Sequence, residues 1–165
     1  GTCLGFEWLL QMLSADPDVL ETDLDAYNVS LPLDLAPEAA TSRMLGGTGA
    51  GVAALRAALE TRPLTMNAHH CGISPEAFVA HPHLTAAFRV LSTSVDRRGR
   101  RFVSTIESRG GTVAGVVGAR LGATQWHPEK AVFEWGYTAG AGPYENINHS
   151  PEALRAAAHL ADAFL

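Results

Sequence analysis

Apolar residues recur at helical spacing near the beginning of the chain. Four of them occupy positions i, i+3, i+4 and i+7, which places them on one face of a helix. These residues are Phe6, Leu9, Leu10 and Leu13. Asp16-Pro17-Asp18 ends the pattern, because proline lacks the backbone N–H and its ring clashes with the preceding turn. The pattern therefore predicts one amphipathic helix that ends before Pro17.

Strand-like and helix-like segments alternate along the remaining chain. Predicted strands cover residues 31–35, 63–67, 88–95 and 102–107, and a further strand ends near residue 124. Predicted helices cover residues 37–45 and 52–61. Two more helices begin at Ser74-Pro75 and Ser150-Pro151, since serine is a good N-cap and proline suits the first turn. The predicted apolar face of the last helix consists of Leu154, Ala158, Ala161 and Leu165.

This order of elements predicts an α/β fold. The alternation of strands and helices favours a mostly parallel sheet with flanking helices. Residues 96–100 separate two strand-like segments, which predicts an antiparallel hairpin added to that sheet. A length of 165 residues, with 47% hydrophobic and 18% charged residues, is typical of a single domain spanning residues 1–165.

The net charge argues against a nucleic-acid partner, and the lengths of the apolar runs argue against a membrane-spanning segment. The formal net charge is −5, whereas nucleic-acid binding favours a basic surface. A dense basic group surrounds Gly99, and we interpret it as a solvated turn. It consists of Arg97, Arg98, Arg100 and Arg101. No apolar run reaches the roughly 18 residues that a membrane span requires.

Neither a metal nor an organic cofactor is expected from the sequence. The two cysteines, Cys3 and Cys71, have no metal-ligand spacing and form no disulfide framework. The glycine-rich loop at residues 46–51 is not followed by the Lys-Ser/Thr pair of a phosphate-binding loop, so we interpret it as a linker.

The first candidate for chemistry is a G-x-C-x-G sequence at residues 1–5, directly before the predicted amphipathic helix. Such a sequence predicts a nucleophile elbow, a sharp strand-to-helix turn that lifts the Cys3 side chain above the sheet. The helix N-terminus favours an anion and hence the nucleophilic thiolate. The N–H of Leu4 would point into the same space and serve as an oxyanion donor. The alternative is a buried structural cysteine in a glycine-flanked turn.

The second candidate is Gln125-Trp126-His127-Pro128-Glu129-Lys130. His127 follows a predicted strand, where the ligand-facing residues of open α/β sheets collect. Glu129 lies two residues later and can reach the far imidazole nitrogen to fix its tautomer. An isolated His-x-Glu is more typical of an ordinary surface loop, but its combination with the elbow favours a base for Cys3.

These motifs, taken with others along the chain, resemble the γ-glutamyl hydrolase (folate polyglutamate hydrolase) family of the class I glutamine-amidotransferase-like, flavodoxin-like fold. One segment, the His-His-x-Gly-Ile-Ser-Pro form, resembles that of plant and algal members. The matching segments beyond the elbow and the histidine motif are residues 67–75, 102–107, 133–135 and 148–153.

The resemblance implies hydrolysis of γ-glutamyl amide bonds of folylpoly-γ-glutamates by a Cys–His–Glu arrangement. Cys3 would form a thioester, His127 would manage the proton and Glu129 would orient His127. His69 matches a histidine of the family's active site, with a role in substrate binding or support. The family further implies a small-molecule substrate, no metal or organic cofactor, and a vacuolar, lysosomal or extracellular location, and it leaves a homodimer open.

Glu7 bears on the choice between this family and the glutamine amidotransferases. Glutamine amidotransferases usually carry Gln where this chain has Glu7, and a carboxylate there can pair with a substrate ammonium or lie on the helix surface. Cys71 is interpreted as structural. The alternative functions are the glutaminase domain of an amidotransferase and a catalytically incomplete fragment that only binds γ-glutamyl compounds.

Two departures from the family pattern lead to further expectations. Residues 109–123 are longer than in the family, which fits either a gene-model artefact or a real loop, and a real insertion can displace His127. The family's first strands and an upstream oxyanion-hole glycine have no counterpart, as in the C-terminal portion of a longer domain. We therefore expect a fragment that begins at the elbow to fold poorly and to hydrolyse little.

Overall fold

The computed structural model describes residues 1–113 and 115–164. Six α-helices are described: α1 Leu4–Ser14, α2 Ala50–Thr61, α3 Pro75–Ala80, α4 Pro82–Ala87, α5 Lys130–Phe133 and α6 Pro151–Phe164. The strands of the first part of the chain are β1 Ala26–Leu31, β2 Asp34–Leu35, β3 Thr65–His69, β4 Phe88–Val95 and β5 Arg101–Ser108. They are followed by β6 Thr112–Val113, β7 Val116–Val117, β8 Gly122–Thr124, β9 Tyr137–Thr138 and β10 Gly142–Pro143.

The fold is α/β as expected, but the expectation of a mostly parallel sheet is not met in the described residues. The largest sheet has the order β2-β4-β5-β8, and its neighbouring strands are antiparallel. β1 and β3 form a separate antiparallel pair. The described parallel pairing is an isolated bridge between Thr2 and Thr124. Parallel neighbours need a crossover of a dozen or more residues, whereas the five-residue connection from β4 to β5 permits a hairpin.

Sequence and structure agree best in the β4–β5 hairpin and its turn. The predicted strand at residues 88–95 coincides with β4. Asp96 closes the turn, because its carboxylate accepts hydrogen bonds from the backbone N–H groups of Asp25, Arg98 and Arg100 at 2.8–2.9 Å. The interpretation of the arginine group as merely solvated is incomplete, since its members also bind acids and carbonyls of the neighbouring segment. Examples are Arg97 with Asp25 and Arg98 with the carbonyl of Asp23.

The segments predicted at residues 31–35 and 37–45 are shorter or broken in the structure. Pro32 and Leu33 separate β1 from β2, because proline cannot donate to a strand ladder. Pro37–Thr41 forms a 3₁₀ helix rather than a longer α-helix. Most of β1 was not predicted from the sequence, since it contains the polar residues Asn28 and Ser30 and is mostly half-buried.

Two apolar clusters hold the helices against the sheet. The first includes Leu59 of α2, Leu91 of β4 and Leu160 of α6, with Trp126. The second joins α1, α3 and α4 to β4 and β5, and its members include Phe6, Leu10, Phe78, Phe88, Val103 and Ile106. Leu9 and Leu13 pack against the second cluster, so the apolar face predicted for α1 is confirmed. In the described residues, no helix is long and apolar enough to cross a membrane.

The apolar face predicted for α6 is wrong. The buried residues of this helix are Ala153, Ala156, Ala157 and Leu160, whereas Ala158 and Ala161 are exposed. Leu154 is half-buried, and Leu165 lies outside the described residues. Alanine occurs on every side of α6, so the sequence pattern does not distinguish one face from its neighbour.

The long segment between β5 and β8 leaves the sheet and returns to it at Ser108. The Ser108 hydroxyl donates to the carbonyl of Ala119 at 3.0 Å and accepts from the N–H of Leu121 at 3.0 Å. The N–H of Ser108 also donates to the carbonyl of Leu121 at 2.8 Å. β8 therefore pairs with β5 in regular register, and His127 lies within hydrogen-bonding reach of Cys3.

Candidate active site

Cys3 lies on a sharp turn between a short extended segment and α1. The N–H of Cys3 donates to the carbonyl of Thr124 at 2.8 Å, and the N–H of Thr124 donates to the carbonyl of Gly1 at 2.9 Å. Residues 1–3 thus run beside the end of β8. Cys3 then adopts φ 48° and ψ −106° as the N-cap of α1. A positive φ at a non-glycine residue costs of order 1–3 kcal/mol and is common where a nucleophile is held on an elbow.

The two glycines that flank Cys3 do not contribute equally. A Cβ atom at Gly1 would lie 2.7 Å from the carbonyl oxygen of Gly5, so only glycine permits this approach. A Cβ atom at Gly5 would meet nothing within 4 Å. In the described part of the chain, the N–H of Leu4 donates to no backbone acceptor, as is usual for the first donors of a helix. It is therefore available to an oxyanion near Cys3.

The segment that carries His127 is fixed to two strands. The N–H of Gln125 donates to the carbonyl of Ser104 at 2.8 Å, and the N–H of His127 donates to the carbonyl of Met66 at 2.8 Å. Trp126, which is buried, donates from Nε1 to the hydroxyl of Thr105 at 3.2 Å. Because three successive residues are held by β5 and β3, the imidazole has a defined position beside the elbow.

His127 connects Cys3 with Glu129. Its Nδ1 lies 2.5 Å from Oε1 of Glu129, which leaves Nε2 for the thiol side. Burial lowers the pKa of His127, but hydrogen bonding with Cys3 and with Glu129 outweighs burial and raises the pKa to about 9. Burial alone would raise the pKa of Glu129. The hydrogen bond with His127 has the larger effect, so the pKa of Glu129 is lowered. The structure thus brings the three sequence-predicted residues together in series.

Glu7 lies one turn along α1 from Cys3 and is held by Gln125. The Gln125 Nε2 donates to Oε1 of Glu7 at 2.9 Å. Burial raises the pKa of Glu7, and the Gln125 bond lowers it by less. Gln125 is fully buried, and its Oε1 has no hydrogen-bond partner in the described residues. The sequence did not single out Gln125 by itself, since only the fold brings positions 7 and 125 together.

His69 is buried at the end of β3, and both of its ring nitrogens face oxygen atoms of the protein. Nδ1 donates to the carbonyl of Cys71 at 2.7 Å, so Nε2 of the neutral ring is unprotonated and lies 3.1 Å from Oδ1 of Asn67 without donating to it. Its ring meets Phe102 edge-on, with centroids 4.9 Å apart. Burial is the largest of the effects that lower its pKa to about 4, and the charge of His127 contributes. His69 therefore stays neutral and close to the site.

Cys71 differs from Cys3 in its electrostatic surroundings. Both cysteines are free and partly buried. Burial raises the pKa of the Cys71 thiol, and the charges of Glu7 and Asp23 raise it further. Cys71 is therefore unsuited to be a thiolate at neutral pH. No group of His, Cys, Asp or Glu that could hold a metal ion is found within residues 1–113 and 115–164.

The site resembles that of hydrolases with a cysteine nucleophile, because it combines a thiol at a helix N-terminus with an imidazole and a carboxylate that orients the imidazole. Proteins of similar sequence indicate which kind of hydrolase the chain resembles. A gamma-glutamyl hydrolase from Bos taurus is 36% identical over 165 residues, which is 100% of this chain and 46% of the relative. Gamma-glutamyl hydrolase B from Dictyostelium discoideum is 33% identical over 100% of this chain and 42% of the relative.

The similarity extends to plants. Gamma-glutamyl hydrolase 1 from Arabidopsis thaliana is 32% identical over 161 residues, which is 98% of this chain and 41% of the relative. No protein-family model matches the chain. The resemblance to γ-glutamyl hydrolases is thus confirmed along the whole chain, which spans less than half the length of these relatives.

Proposed function

We propose that the protein hydrolyses γ-glutamyl amide bonds, with Cys3 as the nucleophile and His127 as the acid and base. The observation that supports this most directly is the series Cys3–His127–Glu129, in which Cys3 is far from the other two residues in the sequence. The names of the relatives support the bond that is cleaved. The substrate class that we propose is the folylpoly-γ-glutamates.

The reaction begins with attack of the Cys3 thiolate on the γ-carbonyl carbon. A C–S bond forms, and the carbonyl electrons move to the oxygen, which the N–H of Leu4 stabilises. When the C–N bond breaks, the imidazolium of His127 gives its proton to the departing amine, leaving a thioester. A water molecule then attacks the thioester and passes a proton to His127, which releases the γ-carboxylate and restores the thiolate.

Glu129, Glu7 and His69 have supporting roles in this proposal. Glu129 holds Nδ1 of His127, so that Nε2 faces the reaction. Glu7, positioned by Gln125, offers a carboxylate that can accept a hydrogen bond from the α-amide N–H of the glutamyl group. His69 supports the wall of the site, because its Nδ1 donates to the carbonyl of Cys71 and its Nε2 lies against Asn67.

Two cysteine variants test the proposal. The protein is incubated with pteroyl-tri-γ-glutamate, and the released glutamate and shortened folates are measured by liquid chromatography. Cys3→Ala is expected to lose at least about 10³-fold in turnover, as is usual for removal of a nucleophile. Cys71→Ala, the matched control, keeps its activity. Turnover that survives in Cys3→Ala would overturn the mechanism.

A chemical probe gives a second readout that needs no substrate. Iodoacetamide is expected to alkylate Cys3 faster than Cys71, because burial and the charges of Glu7 and Asp23 raise the pKa of the Cys71 thiol. Mass spectrometry of peptides reports both rates in one sample. Equal rates would contradict the activated thiol. Release of ammonia from glutamine without cleavage of the folate substrate would instead identify a glutaminase.

A further inference from the structure

A hairpin after the histidine motif exposes several aromatic rings around one small pocket. β9 and β10 pair in antiparallel register, and the pocket beside them has a volume of about 270 Å³. Its aromatic walls are Trp135, Tyr137, Tyr144 and His149. Trp135 is 60% exposed, and Tyr137 and Tyr144 are each 66% exposed. Large apolar side chains that cluster at a soluble surface usually mark a binding site. We call this feature the aromatic pocket.

Trp135 is held rigidly although most of its surface faces solvent. Its Nε1 donates to the carbonyl of Val132 at 2.8 Å. One face of the indole is stacked on His149, with centroids 3.8 Å apart and planes inclined by 20°. His149 is fixed in turn, because its Nδ1 donates to the carbonyl of Ala131 at 2.9 Å. A pre-positioned ring loses little conformational entropy when a flat ligand stacks on it.

Tyr144 is positioned by an unusually close approach to Gly136. The N–H of Tyr144 donates to the carbonyl of Gly136 at 3.0 Å. A Cβ atom at Gly136 would lie 2.2 Å from the Tyr144 ring, so glycine is required for the ring to lie there. The stacking of Trp135 on His149 and the packing of Tyr144 against Gly136 therefore each position an exposed aromatic ring beside the same pocket.

The charges at the rim indicate what the pocket accepts. Nζ of Lys130 lies 2.6 Å from Oε2 of Glu134 and 2.6 Å from Oε2 of Glu145. Both carboxylates line the pocket, and one lysine balances only one of their charges. A net negative rim disfavours the carboxylates of a polyglutamate chain and favours an uncharged group with N–H donors. The volume is smaller than the roughly 300–1,000 Å³ of sites for drug-sized ligands, so it suits a ring rather than a whole substrate.

We propose that the aromatic pocket binds a planar, amino-substituted aromatic group that is attached to the γ-glutamyl chain of the substrate. Glu134 of the pocket wall lies close enough to Glu129, the acid that orients His127, for their charges to interact, so the pocket is near this side of the catalytic residues. A substrate whose γ-glutamyl amide lies at Cys3 can therefore present its ring to this hairpin. This inference rests on the proposed function for its link to catalysis, but ring binding is measurable without turnover.

The test is equilibrium binding of N-(4-aminobenzoyl)-L-glutamate to the whole 165-residue chain, measured by calorimetry in the Cys3→Ala background. Trp135→Ala and Tyr144→Ala are each expected to weaken binding roughly tenfold, the usual effect of losing one stacking partner. Phe133→Ala is the matched control, because Phe133 is 78% exposed and does not line the pocket. It is expected to bind the probe as the parent does. Circular dichroism establishes that each variant is folded.

A second arm separates the pocket from the catalytic proposal. In the chain with Cys3 intact, Tyr144→Ala is expected to raise KM for an aminobenzoyl-capped γ-glutamyl substrate and leave kcat unchanged. KM for aromatic-free γ-glutamylglutamate stays the same. Loss of probe binding in both pocket variants supports the inference even if no hydrolysis is detected. Unchanged probe binding in both variants overturns it, as does a result in which they only alter the oligomeric state in sedimentation.

Discussion

Gln125 donates a hydrogen bond to Glu7 across 2.9 Å, although the two residues are 118 positions apart in the sequence. The other polar atom of the Gln125 amide is buried without a partner in the described residues. Gln125 therefore makes one strong bond to a carboxylate and leaves one acceptor unsatisfied, which is a costly arrangement for a residue that serves stability alone. This pair gives the first prediction.

Gln125→Met removes the bond to Glu7 and the unsatisfied acceptor together. We expect the free energy of unfolding to change by less than about 1 kcal/mol, because the two effects oppose each other. The pKa of Glu7 is expected to rise further, since the Gln125 bond is what lowers it. Urea unfolding and carboxyl NMR titration measure the two quantities. Gln11→Met in α1 is the control. A loss of more than about 3 kcal/mol would show that Oε1 of Gln125 has a partner.

The pKa of His127 sets a pH window for the site. Its folded pKa of about 9 lies above the ordinary value of 6.5, so protonation of His127 stabilises the fold. This contribution is complete below pH 6.5 and is lost as the pH rises through about 9. Activity that depends on the imidazolium is expected to fall in the same range.

Glu129→Gln tests the origin of that window. The variant removes a charge that raises the pKa of His127, so the basic limb of kcat/KM is expected to move to lower pH. NMR titration of the His127 ring should show the same change. Glu134→Gln, a nearby acid that does not bind His127, is the control. A basic limb that is unchanged in Glu129→Gln would separate Glu129 from the base.

The elbow stores backbone strain at Cys3. With φ 48° and ψ −106°, this position suits glycine better than any residue with a Cβ. We expect Cys3→Gly to be more stable than Cys3→Ala by about 1 kcal/mol, although it removes more atoms. Denaturant unfolding of both variants measures the difference. Gly5→Ala is a useful reference, since a Cβ there meets nothing within 4 Å. Greater stability of Cys3→Ala would refute the strain.

His81 joins the end of α1 to the junction of α3 and α4. Its Nδ1 donates to the carbonyl of Ala77 at 2.7 Å, and Nε2 lies 3.3 Å from Asp16. The Ala77 bond, followed by the Asp16 bond, raises the pKa of His81 above 6.5. The stability that this pair contributes is present below pH 6.5 and disappears as the pH rises through the raised pKa.

Asp16→Asn is expected to reduce the dependence of Tm on pH between about 5.5 and 8.5, because Asn keeps the local turn but carries no charge for His81. Differential scanning calorimetry at the two pH values measures this effect. Asp18→Asn changes a neighbouring acid that makes no bond to His81, and it is expected to keep the parent's pH dependence. An identical response of the two variants contradicts the role of Asp16.

The parts of the fold that the sequence predicted are those with strong local signals. The apolar period of α1, the Ser74-Pro75 start of α3 and the β4–β5 hairpin each depend on residues within about ten positions. The elbow at Cys3 belongs to the same group, because its shape follows from the glycines and the helix beside it. The Cys3–His127–Glu129 series could not be predicted from the elbow alone. It was predicted because the family resemblance connected the elbow with the motif at residues 125–130.

The parts that the sequence did not predict depend on tertiary context. The buried face of α6 is set by Trp126 and Leu59 rather than by a pattern in an alanine-rich helix. The direction of neighbouring strands depends on the length of the connection between them. Because β6 and β7 lie between β5 and β8 in the sequence, the antiparallel pairing of β5 with β8 was not predicted. Burial of His69 and the contact of Gln125 with Glu7 likewise require the folded chain.

Ser108 closes the neck of the segment that carries β6 and β7, since both sides of that segment meet at this one residue. Changes beyond this neck are therefore expected to leave the catalytic residues in place. Substitution of Val116 and Val117, both exposed, should not alter how β8 presents His127.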